Sequence, residues 1–183
     1  MNVTKLPIDG LFYFEPTVYE DERGFFFESF SKEKFDKEVG YEVNFVQDNH
    51  SKSIKNVFRG FHYQVNPKAQ GKLVRVVRGE VIDFVVDIRK DSPTFGQYVS
   101  LFLSAENCRQ FWIPVGFAHG FLVMSEEAEF LYKTTDYYHP QSEQSIVWND
   151  PTLNINWPLP KEMIQVSLKD QQGLPWLEAA KFS

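Results

Sequence analysis

Short β-branched and aromatic runs, broken by turn residues, dominate the middle of the chain. Residues Lys72 to Ile88 read KLVRVVRGEVIDFVVDI, and the Arg78-Gly79-Glu80 break predicts paired strands joined by a tight turn. In the second run, period two puts Ile82, Phe84, Val86 and Ile88 on one face and Val81, Asp83, Val85 and Asp87 on the other. Asp83 is thus flanked by valines. A carboxylate on so apolar a face must find a partner or change its protonation, so Asp83 is either a buried structural anchor or a support to a site. Further strands are predicted over 97–103, 110–113, 119–124, 129–134 and 145–148, spaced as in an all-β barrel or jelly roll.

The ends of the chain differ from this centre. FYF at 12–14 and FFFESF at 25–30 predict two strands around an acidic turn, Glu20-Asp21-Glu22-Arg23-Gly24. A short helix near 32–39 follows. Ser31 suits its N-cap, Phe30 and Phe35 stand at staple positions, and Gly40 sits where a left-handed residue ends a helix. In the tail, Trp157-Pro158-Leu159-Pro160 precludes regular strand pairing. No internal repeat interrupts the series, so one domain over 1–183 is expected, its barrel core at about 45–150 with both ends packed on it.

Composition supports the strand reading, with 18 Phe, 8 Tyr and 4 Trp among 183 residues. A formal charge of -6 argues against broad adhesion to nucleic acid or an anionic membrane, but leaves room for a small basic pocket. The lone Cys108 precludes an intrachain disulfide and points to a reducing cytoplasm. No apolar stretch approaches a signal-peptide core or a bilayer span.

The densest chemistry lies in Phe58 to Gln64, FRGFHYQ. Arg59 offers a fixed cationic fork for phosphate or carboxylate, and His62 is a proton carrier near neutral pH. In an unbroken strand the two would face opposite sides. A bulge at Gly60, adding one residue, would turn both toward the same space.

Residues 112–120, WIPVGFAHG, hold Pro-x-Gly-x-x-His, which resembles the second motif of the cupin superfamily of β-barrels and would point His119 inward. Metal-binding cupins add a His-x-His pair and a glutamate; His62-Tyr63-Gln64 stands there instead, so a barrel without a metal is expected. A narrower resemblance rests on several stretches in order. These are Asp21-Glu22-Arg23-Gly24-Phe25-Phe26, Phe45 to Ser51 (FVQDNHS), FRGFHYQ, Gln70 to Arg75 (QGKLVR), Gly79-Glu80-Val81, SPTFGQ at 92–97, Pro114 to Gly120 and Glu129 to Lys133 (EFLYK). Together they resemble the dTDP-4-dehydrorhamnose 3,5-epimerase family from about residue 16 to about 171. Phe58 and Phe61 stand where that family is expected to carry leucines, which predicts a reshaped pocket wall.

The resemblance implies a fold, a cupin-type jelly-roll barrel with short flanking helices, and a reaction. A carbonyl acidifies the hydrogens on both neighbouring carbons of a dTDP-linked 4-keto-6-deoxyhexose, so inversion needs a base, an acid across the ring and a cation for the enolate. By resemblance these are His62, Tyr132 and Lys72, with Asp170 orienting His62 and Asp83 supporting His119. Arg23, Arg59 and Lys169 are implied at the diphosphate, Glu28, Gln47, Asn49 and Glu143 at the sugar or base, Phe26 as a further substrate contact, His119 as shaping the site or its phosphate end, and Tyr138 as a ring stacked on thymine. Taken singly, Arg23 reads equally as a turn charge, and Lys169-Asp170 as a solvated pair. No cofactor is implied, and a homodimer with exchanged N-terminal strands is. Three alternatives remain open at this point: an epimerase acting at one carbon only, a cupin that binds a nucleotide sugar without catalysis, and a metal-dependent enzyme on the same barrel.

Overall fold

Two sheets face each other across a shared apolar core in the computed structural model, which describes residues 1–183. The first runs in the order β1 (Asn2–Lys5), β2 (Phe12–Glu15), β10 (Gln110–Ile113), β7 (Lys72–Arg78), β12 (Glu127–Thr134) and β5 (Gln47–Ile54). The second runs β13 (Glu143–Ser145), β6 (Val57–Gln64), β11 (Phe117–Val123), β8 (Glu80–Asp87) and β9 (Tyr98–Ser104), with β14 (Gln165–Val166) parallel to β6. A separate hairpin joins β3 (Tyr19–Asp21) to β4 (Gly24–Phe26), and two short helices, α1 (Lys32–Val39) and α2 (Leu168–Gln171), flank the sheets. The architecture is an all-β jelly-roll barrel, as the strand spacing predicts, and of the cupin type that the resemblance implies.

One expectation fails. β7 and β8 do not pair with each other: β7 lies between β10 and β12, and β8 between β11 and β9. Gly79, at φ +72°, carries the chain from one sheet to the other. Val74 and Val76 of β7 then meet Val81 and Val85 of β8 across the barrel instead of along a ladder. Alternation identifies both strands but holds no information about which sheet each joins.

The faces follow period two. Phe111 and Phe130 from the first sheet and Phe121 and Val123 from the second complete the interior, each such buried side chain contributing about 1.5–3 kcal/mol. Outward, Phe58, Phe61, Phe84 and Leu122 are covered by the C-terminal segment through Ile146, Trp148, Trp157 and Trp176. The Trp157 ring stands 5.0 Å from Phe58 and 4.9 Å from Phe84. Phe58 and Phe61 are therefore core residues beneath this strap and do not form a pocket wall, which corrects the expectation drawn from their departure from leucine.

The outer face of the first sheet is closed by α1, whose Phe35 and Val39 cover Phe12, Phe14, Leu73 and Trp112. Phe30 packs on Phe35 at 5.8 Å, the predicted staple, and Gly40 ends the helix at φ +89°. Ser31 has N-cap backbone geometry, yet its hydroxyl makes no capping bond. The strand foreseen over 25–30 stops at Phe26, because Phe30 leaves the hairpin for Phe35 and Phe45.

The feature that most directly positions the site is a bulge in β6. His119 of β11 lies opposite His62, and Phe121 opposite Arg59, so two steps on β11 span three on β6. Gly60 makes this possible. It sits at φ +144°, and a Cβ there would lie 2.5 Å from the Gly120 Cα. Gly60→Ala is expected to destabilise the fold by about 3 kcal/mol or more, through strain and overlap together. Gly24→Ala, at φ +123° with nothing within 4 Å, should cost only about 1–2 kcal/mol. Denaturant unfolding of the two variants gives the comparison; equal losses would show that contact with Gly120 adds nothing.

Candidate active site

The bulge sends both Arg59 and His62 into one cavity of about 230 Å³ between the sheets. Lys72, at the start of β7, and Tyr132, on β12, enter from the opposite wall, since Val74, Val76 and Phe130 on their faces belong to the interior core. His119 of β11 completes the polar lining, while stacked Phe121 and Phe130, 4.1 Å between ring centres, supply an apolar surface. His62 and Tyr132 thus share one space on opposing sheets.

Each reactive group has a defined setting. His62 Nε2 lies 2.5 Å from Asp170 Oδ1, contributed by α2, 108 residues along the chain. Burial alone would raise the Asp170 carboxyl, but bonds to His62, the Gly60 N–H and the Ser167 hydroxyl outweigh it and hold the group below its ordinary value. Asp170 is therefore a carboxylate that accepts from Nε2–H, which leaves Nδ1 of a neutral ring to take a proton. Ser167 also caps α2 by accepting the Asp170 N–H at 3.1 Å.

Burial pushes the Lys72 ammonium down to about 8, against the opposing pull of Asp83 and Glu143. Its Nζ lies 3.4 Å from the His62 carbonyl oxygen. Burial pushes the Tyr132 phenol up, opposed by Arg59, so it stays protonated at neutral pH. His119 Nε2 is 2.8 Å from Asp83 Oδ2, which answers the sequence question about Asp83: it is fully buried and anchors a cavity histidine. Burial raises the Asp83 carboxyl, with His119 and Lys72 opposing, and its Oδ1 has no protein partner.

Beside this cavity a second group is linked by hydrogen bonds. Gln47 Oε1 accepts the Tyr138 N–H at 3.1 Å, and its Nε2 donates to Asn49 Oδ1 at 2.9 Å. The Tyr138 hydroxyl donates to Glu143 at 2.9 Å, and Lys169 donates to the same carboxylate at 2.6 Å. Burial would raise Glu143, but Lys169 and Tyr138 hold it low. Asn49 is the ladder partner of Tyr132, and Glu143 lies two residues before the ladder partner of His62. The two groups are neighbours.

Three residues singled out in the sequence are not brought to the cavity by their own chain. Arg23 and Phe26 line a separate concavity on the β3–β4 hairpin, where Arg23 pairs with Asp21 at 2.5 Å. Glu28 pairs with Lys34 beside α1. Conversely, Ser51 lines the cavity and Ser53 holds Arg59, and neither was picked out. Alternation along β5 from Gln47 and Asn49 puts both serines on that face and would have found them. No group of three or more His, Cys, Asp or Glu side chains is arranged to hold a metal ion.

Comparison with known proteins identifies the family. Residues 5–178 match the family described as dTDP-4-dehydrorhamnose 3,5-epimerase. The protein of that name from Pseudomonas aeruginosa is 56% identical over 182 residues, covering 100% of this chain and 99% of its own length. The Salmonella typhimurium protein of the same name is 58% identical over 180 residues, covering 98% and 97%. The crystal structure of dTDP-6-deoxy-D-glucose-3,5-epimerase from Legionella pneumophila, in complex with dTDP-4-keto-L-rhamnose, superposes with TM-score 0.90 at 55% identity, over 94% of this chain and 90% of that one. With sequence and fold matched over almost its whole length, the chain belongs to the dTDP-4-dehydrorhamnose 3,5-epimerase family.

Proposed function

We propose that this chain converts dTDP-4-dehydro-6-deoxy-D-glucose to dTDP-4-dehydro-L-rhamnose, inverting C3 and C5, in dTDP-L-rhamnose biosynthesis. The observation that carries the reading is the placement of His62 and Tyr132 on facing sheets around one cavity, with Lys72, at the start of β7, lining the same space. In this scheme His62 Nδ1 takes the proton from C3 or C5. The C–H electron pair moves into an enolate whose charge settles on O4, where the Lys72 ammonium stabilises it. Tyr132 then delivers its phenolic proton to the same carbon from the other side. Solvent returns His62 and Tyr132 to their starting forms, and the protons balance without a redox step.

Asp170 keeps the His62 ring in the tautomer that exposes Nδ1 and stabilises the imidazolium that forms. Arg59 faces the diphosphate, Lys169 adds a second cation from the neighbouring group, where it is bonded to Glu143, and Tyr138 offers an exposed ring to the base. Gln47, Asn49, Glu143 and His119 supply sugar and base contacts. Arg23, Phe26 and Glu28 act in this reading from a second copy of the chain. The β3–β4 hairpin supports it, with Tyr19, Phe25 and Phe26 at 64%, 67% and 71% exposure, a costly aromatic display for an isolated subunit. A homodimer acting in the cytoplasm is the proposed assembly and location.

Three outcomes are expected. In D2O, label enters both C3 and C5; His62→Ala abolishes the exchange, whereas Tyr132→Phe preserves washout but lowers inversion by about 10²- to 10⁴-fold. Label at one carbon only would restrict the chain to single epimerisation, and exchange that survives loss of His62 would reduce the barrel to a binding module. Because Lys72 acts only while protonated, kcat/KM should fall as pH rises through about 8, and Lys72→Met should remove that alkaline limb along with most activity. Sedimentation should find twice the 21.4 kDa of one chain, and Phe25→Ser with Phe26→Ser should shift it to monomer. A monomeric wild type would reject the assembly.

A further inference from the structure

Arg59 is held unlike the other arginines of the molecule. Its Nε donates to the Ser53 hydroxyl at 2.7 Å, and one Nη2 hydrogen reaches the Lys52 carbonyl at 3.3 Å. Arg23, Arg78, Arg89 and Arg109 each pair instead with a carboxylate, and the sixth arginine, Arg75, has no side-chain partner. Both partners of Arg59 are neutral, so the guanidinium is oriented without being neutralised. Its remaining N–H groups stay free at the mouth of the cavity, where Arg59 is exposed and lines the wall.

The topology explains the reach. β5 closes one sheet and β6 belongs to the other, so the turn between them bridges the barrel wall. Ser53 sits two places before that turn's start and is 5% exposed. The bulge at Gly60 tips Arg59 inward across the corner to meet it.

We propose that Ser53 is a positioning residue that aims the Arg59 fork at an anionic oxygen of the substrate while leaving its full positive charge available. A carboxylate at position 53 would hold the same pose but cancel the field the ligand needs; a hydroxyl orients and does not neutralise. Arg has about 2 kcal/mol of rotamer entropy to lose, and prior ordering by Ser53 removes part of that cost from binding. The inference rests on the reading of Arg59 as a diphosphate contact.

The test measures dTDP and thymidine binding to the full chain by titration, alongside steady-state kinetics. Ser53→Ala should weaken dTDP about tenfold, the scale of one charge-assisted hydrogen bond, and leave thymidine binding unchanged. KM should rise while kcat at saturation stays at the wild-type value, and Ser53→Thr should restore both affinity and KM. Arg59→Ala serves as the reference: it should weaken dTDP more than Ser53→Ala does. Undiminished dTDP affinity in Ser53→Ala beside a clear loss in Arg59→Ala would overturn the positioning role alone. Unchanged dTDP affinity in Arg59→Ala would overturn the diphosphate reading and the inference with it. Equal losses for dTDP and thymidine in Ser53→Ala would mark a general distortion of the cavity and also count against it.

Discussion

The backbones of β6 and β11 come together at Gly60 and Gly120 more closely than any pair with side chains could, and the facing of the cavity wall depends on that contact. A side chain on Gly60 would overlap the Gly120 Cα, and one on Gly120 would overlap the Phe58 ring and the Arg59 carbonyl. Between these glycines β6 gains its extra residue. Phe58 and Phe61 are thereby turned outward under the C-terminal strap, and Arg59 and His62 inward. The same bend presents the Gly60 N–H to Asp170, so the bulge helps hold the carboxylate that orients His62.

The cavity is a study in where charge is neutralised. Acidic groups are compensated: Asp170 by His62 and two further donors, Asp83 by His119, Glu143 by Lys169 and Tyr138. The cations that face the empty space are not matched in the same way. Arg59 rests on a hydroxyl and a carbonyl, and Lys72 contacts only a carbonyl at 3.4 Å, with Asp83 and Glu143 acting at longer range. Positive charge left unpaired beside an apolar, aromatic surface suits a ligand that carries a diphosphate and develops an enolate. A negative charge on a ligand beside Lys72 would offset, by Coulomb attraction, the cost that burial imposes on its ammonium.

The C-terminal strap couples packing to chemistry. Trp148, Trp157 and Trp176 cover the outer face of the second sheet, and the same stretch carries α2 with Asp170 and Lys169. Asp150 accepts the Trp176 N–H at 2.7 Å and the Thr152 N–H at 2.8 Å, fastening the strap's two ends together. Orientation of His62 is therefore tied to burial of aromatic surface on the far side of β6.

Period-two alternation, a local property of each strand, was enough to identify most strands and to group Asp83 with Val81 and Val85, and Gly60 marked where a bulge would turn Arg59 and His62 together. The order of short motifs was enough to name the family. Alternation along β5 also contained Ser51 and Ser53, though the motif drew attention only to Gln47 and Asn49. Sheet membership was decided by tertiary structure, since β7 and β8 read as a hairpin and separated across the core. So was the partnership of Arg59 with Ser53 across the barrel corner, and that of His62 with Asp170, 108 residues apart, was implied by the resemblance but could not be read from any local pattern. The physical reason is common to all three. A residue's facing follows from its neighbours in the chain, whereas its partner follows from which strands share a ladder and which segment covers them, and those are set by burial of apolar surface over the whole molecule.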